Sequence, residues 1–348
     1  MNANAEQPPD VPIEAASKGE SSRVDKILLP FSKSLSFCVG ALVGVILRVA
    51  FSSQPGQSYA AMNWQFILLV PLAVGAVTVY VAEKKTRRSW GYYVWASAFA
   101  NLLFVLGTML ILIEGLICAI VIVPLFCLVG IFGGLMMGAV CRTTKWPKQA
   151  VYSFALLPLI LGALPPSESD RQQVAVIDRA IVIQATPDKI WHQLHNVTDI
   201  KSEEVGQAWM YRIGVPLPLA GVTQLTPTGL VRKITMGKSI YFDQVSDDWE
   251  ENRYGKWRYR FFEDSFPPKA LDDHVMIGGH YFDLVETEYQ LVPQDAHSTE
   301  LKIRMHYRVS TEFNWYAKPV AKLLIGNFED VILGFYDRRS TGGATRSL

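Results

Sequence analysis

From Trp90 to Cys141 the chain runs for fifty-two residues with one charged side chain, Glu114. Apolar stretches beyond about 18 residues are read as membrane spans, because in lipid every backbone hydrogen bond must close inside the segment. The rest of the first half, up to Pro165, has the same character, and the composition then turns polar. The chain is therefore expected to be a multi-pass α-helical membrane bundle followed by one soluble domain.

Five spans are expected, at about 31–50, 64–82, 90–113, 115–140 and 150–165. The long run is too long for one helix at about 1.5 Å per residue, and Glu114-Gly115 is its natural hairpin turn. Residues 1–26 are polar, rich in Pro, Ala, Ser and Glu, and are expected to be a disordered cytoplasmic tail. Basic residues fall in that tail (Lys18, Arg23, Lys26), after span two (Lys84, Lys85, Arg87, Arg88) and after span four (Arg142, Lys145, Lys148), whereas Ser52–Met62 and Glu114 carry none. The positive-inside rule then places the amino terminus in the cytoplasm. The side of the soluble domain depends on 150–165. If that segment crosses, the domain is extracytoplasmic, periplasmic in a bacterium; if it lies in the interface, the domain is cytoplasmic. Its flanks, Trp146 and Lys148 before and Glu168 and Asp170 after, favour crossing.

Transport by the bundle is disfavoured, because Lys33, Arg48 and Glu114 all fall near span ends and none at mid-span. Gly130, Gly134 and Gly138, like Gly40 and Gly44, have the spacing that brings helices close, and are expected to pack within the bundle. All four cysteines (Cys38, Cys118, Cys127, Cys141) lie in the membrane half and form no CxxC or Cys/His pattern. The net charge of +1, with scattered basic residues, leaves no nucleic-acid footprint.

A linker at 167–173 leads to a domain at 174–340, with a short disordered tail at 341–348. Val174–Ala185 is expected to be a strand with Val174, Val176 and, after a shift, Ile181 and Ile183 as its apolar teeth. Thr186-Pro187-Asp188 starts a short helix with Ile190, Trp191 and Leu194 on one face. Strands follow at 231–236, 239–245, 256–263, 281–292 and 300–309. In the last, Leu301, Ile303, Met305, Tyr307 and Val309 alternate with Lys302, Arg304, His306 and Arg308, as in a sheet with one buried and one wet face. Ile213–Val222 is apolar but punctuated by Pro and Gly, and is expected to be an irregular connection, cavity lip or membrane-touching loop. A helix at about 315–339 closes the domain, with Val320, Leu323, Leu324, Phe328, Val331, Ile332 and Phe335 as its apolar stripe.

Together, VIDRAIVIQATPDKIWHQLHNVTDI, KWRYRFF, EYQLVP, TELKIRMHYRV and WYAKPVAKLLIGNFEDVILGFYDRR resemble the SRPBCC superfamily, also called START-like or helix-grip, near its polyketide cyclase/dehydrase and lipid-transport group. The resemblance covers about Val174–Arg339 and implies an α+β helix-grip domain, a curved antiparallel sheet around a long C-terminal helix. It also implies a cavity for an apolar ligand between sheet and helix. The candidate lining residues are Trp257, Tyr259, Phe261, Tyr289, Leu291, Ile303, Met305, Tyr307, Leu324 and Phe328. Core packing alone accounts for each of them singly.

Catalytic residues are not identifiable. Asp272, Asp273, His274, His280 and Asp283 lie close in sequence but match no metal-ligand spacing, so no metal is expected. His192 and His195 are expected on solvated surface. No Gly-rich phosphate loop or GxSxG is present, and no cofactor is expected. Asn196-Val197-Thr198 is a glycosylation sequon by pattern alone. The leading expectation is a non-enzymatic, membrane-tethered domain with membrane lipids and a hydrophobic small molecule as partners. The alternatives are a cyclase- or hydrolase-like enzyme using the same cavity, which needs an inward acid/base pair, or a sensor or scaffold with a filled core.

Overall fold

The computed structural model describes residues 34–51, 62–84, 86–145, 147–162, 173–268, 270–271 and 274–342. The tails at 1–26 and 343–348, the 52–61 connection, nearly all of the linker, Lys85, Trp146, Asp272 and Asp273 lie outside the described residues.

Four helices are long and apolar enough to cross a membrane: α1 (Ser34–Phe51), α2 (Gln65–Glu83), α3 (Trp90–Leu110) and α4 (Leu116–Thr143). They match the first four expected spans. The first five residues of α2, Gln65–Leu69, are wound as a π-helix. Pro71 lies two residues beyond Leu69, and its missing N–H interrupts the regular bonding ladder there. The hairpin between α3 and α4 falls at Ile111–Gly115, with Leu112 in the left-handed region at φ 57°. The fifth expected span appears as α5 (Pro147–Gly162), whose 16 residues reach only about 24 Å against a hydrocarbon core of about 30 Å.

The chain divides into two compact units. One holds the described parts of Met1–Leu47 with Val70–Phe104 and Phe126–Pro158; the other holds Arg48–Leu69, Val105–Leu125 and the described parts of Leu159–Leu348. In the first, a Cβ on Gly75 would overlap the Gly130 carbonyl, and one on Gly130 would strike the Asn101 amide. The glycine repeat thus brings backbones together within the bundle, as expected. Asn101 Nδ2 donates to the Ser97 and Pro71 carbonyls at 2.9 and 3.3 Å, joining α3 to α2. In the second unit, Arg48 Nε lies 2.7 Å from Glu114 Oε1, so two charges expected at span ends neutralise one another. The Tyr316 hydroxyl donates to the Val121 carbonyl at 2.6 Å, also within that unit.

The polar part of the second unit contains one eight-stranded antiparallel sheet in the order β1-β8-β7-β6-β5-β4-β3-β2. Its strands are β1 (Val174–Ile183), β2 (Asn196–Val197), β3 (Pro218–Thr226), β4 (Gly229–Met236), β5 (Tyr241–Glu250), β6 (Tyr254–Arg260), β7 (Phe282–Pro293) and β8 (Thr299–Val309). The sheet is curved, and α9 (Asn314–Ser340) packs across β1 and β8, giving the helix-grip architecture. Between β1 and β3 lie α6 (Pro187–His195), α7 (Ser202–Val205) and α8 (Trp209–Arg212), all three packed on α9. The expected start of α6 holds: Pro187 occupies its first turn, and Ile190 and Leu194 are buried. Arg339 clamps the Glu204 carboxylate through two bonds of 2.6 and 2.7 Å, fastening α7 to the end of α9. That guanidinium also holds the Glu204 carboxyl below its usual range.

Four local expectations change. In β1 the inward teeth are Ala175, Ile177, Ile181 and Ile183 in unbroken alternation, and Val174 and Val176 are exposed. The stretch from Pro218 is the strand β3, not an irregular connection. Its proline falls at the strand's first position, where a missing N–H is tolerated. The strand expected from Ser239 begins at Tyr241, because Lys238 and Ser239 turn through the left-handed region at φ 56° and 59°. On α9 the buried face runs through Ile325, Glu329, Ile332, Leu333 and Tyr336, with Leu323 exposed. The sheet-facing side includes Gly326 and Glu329, which an apolar pattern does not select.

Candidate functional site in the helix-grip interior

Alternation on the central strands sends one set of side chains between sheet and α9. Trp257, Tyr289, Leu291, Ile303, Met305 and Tyr307 are buried there in one cluster with Ile332, Leu333 and Tyr336 from the helix, and half-buried Phe328 packs against them. Seven of the ten expected lining residues are therefore together. Tyr259 and Phe261 pack against a second cluster of Ile240, Phe242 and Ala270, although Tyr259 is still close enough to Tyr289 and Arg232 to feel their charge. Leu324 is half-buried and belongs to neither cluster.

This apolar interior contains a cation. In β4, Leu230, Arg232 and Ile234 share a face, and Arg232 is only 6% exposed. Its Nε donates to Gln244 Oε1 at 2.8 Å, its Nη1 donates to the Leu194 carbonyl at 2.5 Å, and the Tyr289 and Tyr336 hydroxyls also reach it. The guanidinium lies 5.1 Å from the centre of the Trp257 ring and 5.9 Å from that of Tyr289, within cation–π range. Among the described residues no carboxylate forms an ion pair with it. The tyrosine hydroxyls of Tyr211, Tyr259 and Tyr336 are pushed upward by burial, Tyr259 to about 12. Tyr259 and Thr287 share a hydrogen bond of 2.6 Å.

His195 corrects an expectation. His192 is exposed, but His195, three residues on, is 7% exposed and turned inward. Its ring centre lies 4.1 Å from that of Trp191, tilted by 39°, and 5.6 Å from that of Trp257. Burial lowers its pKa to about 4, so the ring is neutral at pH 7. Nδ1 lies 2.9 Å from the Trp191 carbonyl and must donate to it, which leaves Nε2 as a buried acceptor with no partner among the described residues. Glu329 on α9 is the second such group. It is fully buried, neither carboxylate oxygen has a partner in hydrogen-bond geometry among the described residues, and burial raises its pKa to about 8. Tyr307 is close enough to sense its charge, and Arg179 and the Met305 backbone nearby oppose the upward shift.

Alternation could have found Arg232, since β4 was legible as a strand and the arginine shares a face with Leu230 and Ile234. Nothing local marks His195 or Glu329 as buried, because both lie on helices whose inward faces depend on what covers them.

Glu286, Glu288 and His306 converge elsewhere on the sheet, with His306 Nε2 at 3.7 and 3.5 Å from the two carboxylates. Lys256 and Arg304 stand 3.0 and 3.6 Å from the same two acids, the arrangement of a cross-strand salt ladder. His280 and Asp283 join no three-ligand group among the described residues, and His274 stands 4.0 Å from Glu114.

No protein-family model and no curated protein matches the chain. Solved structures similar to it include a START superfamily protein from Mycobacterium smegmatis, 13% identical over 48% of this chain and 97% of that one, with a TM-score of 0.31. Others are the Zhui aromatase/cyclase from a Streptomyces species (14% identity, 49% and 100% coverage, TM-score 0.29) and norcoclaurine synthase from Thalictrum flavum (14%, 49% and 94%, 0.25). All three align with about half of this chain. The helix-grip architecture itself is carried by the sheet order and the position of α9.

Proposed function

We propose that the C-terminal domain binds a lipid or another hydrophobic small molecule between its sheet and α9, and that α1–α4 tether it to a membrane. The supporting observation is an aromatic-walled interior holding buried polar atoms, His195 Nε2 and both Glu329 oxygens, that have no partner in hydrogen-bond geometry among the described residues. Buried polar atoms are nearly always paired, and a ligand or ordered water supplies the partner when the protein does not. A catalytic reading draws on the same two groups, a neutral imidazole and a carboxyl that holds its proton at pH 7. Among the described residues no hydrogen bond joins the two, whereas such a reading needs a paired acid and base.

The test uses the full chain. Solvent extraction after detergent purification should release a hydrophobic molecule detectable by mass spectrometry, and a neutral diazirine-bearing alkyl probe should label peptides of β6–β8 or α9. No extracted molecule, with labelling confined to α1–α4, would remove the binding reading and leave a scaffold.

The same proposal places the domain outside the cytoplasm, on the reading that α5 and the apolar residues after it cross. A reporter active only in the cytoplasm, fused after Leu348, should then be silent. Activity there would make α5 an interfacial helix.

A further inference from the structure

The interior cation sets what kind of hydrophobic molecule fits. Burying a charge is costly unless an opposite charge or a full set of strong acceptors compensates it. Arg232 is buried, and every acceptor it meets is neutral: the Gln244 amide, the Leu194 carbonyl and the hydroxyls of Tyr289 and Tyr336. Its neighbours Asp243 and Lys233 do not change this. Asp243 is engaged by Arg260 at 2.6 Å, and Lys233 is exposed. The side chain stays inside, held over the Trp257 ring, instead of snorkelling to water.

We infer that the ligand is a long-chain carboxylic acid whose carboxylate pairs with Arg232 while its alkyl part lies between sheet and α9. The inference rests on the proposed binding of a hydrophobic molecule and adds the chemistry of its polar end. A guanidinium presents two parallel N–H groups, the fork that a carboxylate accepts, and tyrosine hydroxyls beside it can donate to the same oxygens. Trp257, which touches both Arg232 and His195, begins the apolar wall that continues through Ile303 and Met305. One negative charge is the complement. The neighbouring imidazole is neutral, so the site offers a single cation and disfavours a dianionic head group. His195 Nε2, an acceptor beside that cation, has room in its hydrogen bonding for a donor from ligand or water.

A structural clamp is the competing account. The Leu194 carbonyl belongs to the last turn of α6, and a helix carboxy end attracts a cation. The two accounts differ in one measurable respect, because a clamp has no preference among ligands.

The experiment photolabels the full chain in phosphatidylcholine nanodiscs with diazirine-bearing hexadecanoic acid, its methyl ester and the corresponding alkyl phosphate. Wild type should incorporate the acid at least tenfold more than the ester on peptides containing Trp257, Tyr289 or Tyr336, and more than the phosphate. Arg232→Gln should abolish that preference while ester labelling persists. Equal labelling of wild type by acid and ester overturns the inference, leaves Arg232 as a clamp and leaves the hydrophobic-ligand reading intact. Stronger labelling by the phosphate overturns the single-charge argument. Failure of all three probes to label the domain overturns the binding reading as well. The wild-type comparison decides the matter even where Arg232→Gln does not fold.

Discussion

Trp257→Ala is expected to destabilise the C-terminal domain by about 3–5 kcal/mol, the usual cost of deleting a large aromatic from a core that cannot collapse. The indole is 1% exposed and is among the largest fully buried side chains of the chain. Its partners are held by bonds of their own: Arg232 by Gln244 and Leu194, His195 by the Trp191 carbonyl, and Tyr289 by its strand. Removing the ring also strips the guanidinium of its aromatic face, which adds to the loss at a desolvated site. Denaturant unfolding of the full chain in detergent, followed by near-ultraviolet circular dichroism, measures the effect. Trp257→Phe, which keeps an aromatic wall, should recover a large part of it. A loss below about 1 kcal/mol for the alanine variant would mean that the indole is not part of the packed interior.

Glu329→Gln is expected to stabilise the protein, and increasingly so as the pH rises. Burial raises the carboxyl from 4.5 to about 8. The unfolded chain therefore releases its proton near pH 4.5, while the folded chain retains it until about pH 8. Between those values the folded state binds more protons than the unfolded state, so stability falls with rising pH. The contribution is fully present below pH 4.5 and is lost by the time pH passes about 8. Stability changes by about 1.4 kcal/mol for each pH unit between the two values, which gives the whole effect a ceiling of about 4–5 kcal/mol. Glutamine cannot ionise, so its advantage over wild type should be near zero at pH 4.5 and largest above pH 8. Melting temperatures of both full chains in detergent at pH 5, 7 and 9 provide the check. Parallel curves would show that Glu329 is solvated or paired. A bound partner for the carboxyl would shrink the difference, so the measurement is best made on ligand-stripped protein.

Much of this molecule can be read along single segments. The long apolar helices are legible because a segment able to cross lipid must satisfy its backbone internally, which calls for long uncharged runs such as Trp90–Cys141. Strand β8 is equally plain, since its two faces meet opposite environments at every step from Leu301 to Val309. The resemblance to helix-grip proteins followed from the order of such segments, and the sheet and α9 bear it out. Strand β3 was hidden by Pro218 and Gly221, which read as loop residues until β4 supplies a partner. α7 and α8 are too short to carry a period, and they depend on contacts such as Arg339 with Glu204.

The interior chemistry was less legible. Six strand residues of the expected lining, from Trp257 to Tyr307, came from alternation and do converge, because a strand's inward side chains are fixed by its own pleat. What the tertiary structure alone decided is the fate of polar residues on covering elements. His195 and Glu329 look like surface residues on their helices, and Arg232 looks like one charge in a mixed strand. They become an unsatisfied acceptor, a carboxyl that keeps its proton and an unbalanced cation only when the sheet, α6 and α9 exclude water from the same space. Residue identity determines which groups can ionise, whereas the solvent withheld from them is a property of the assembled fold.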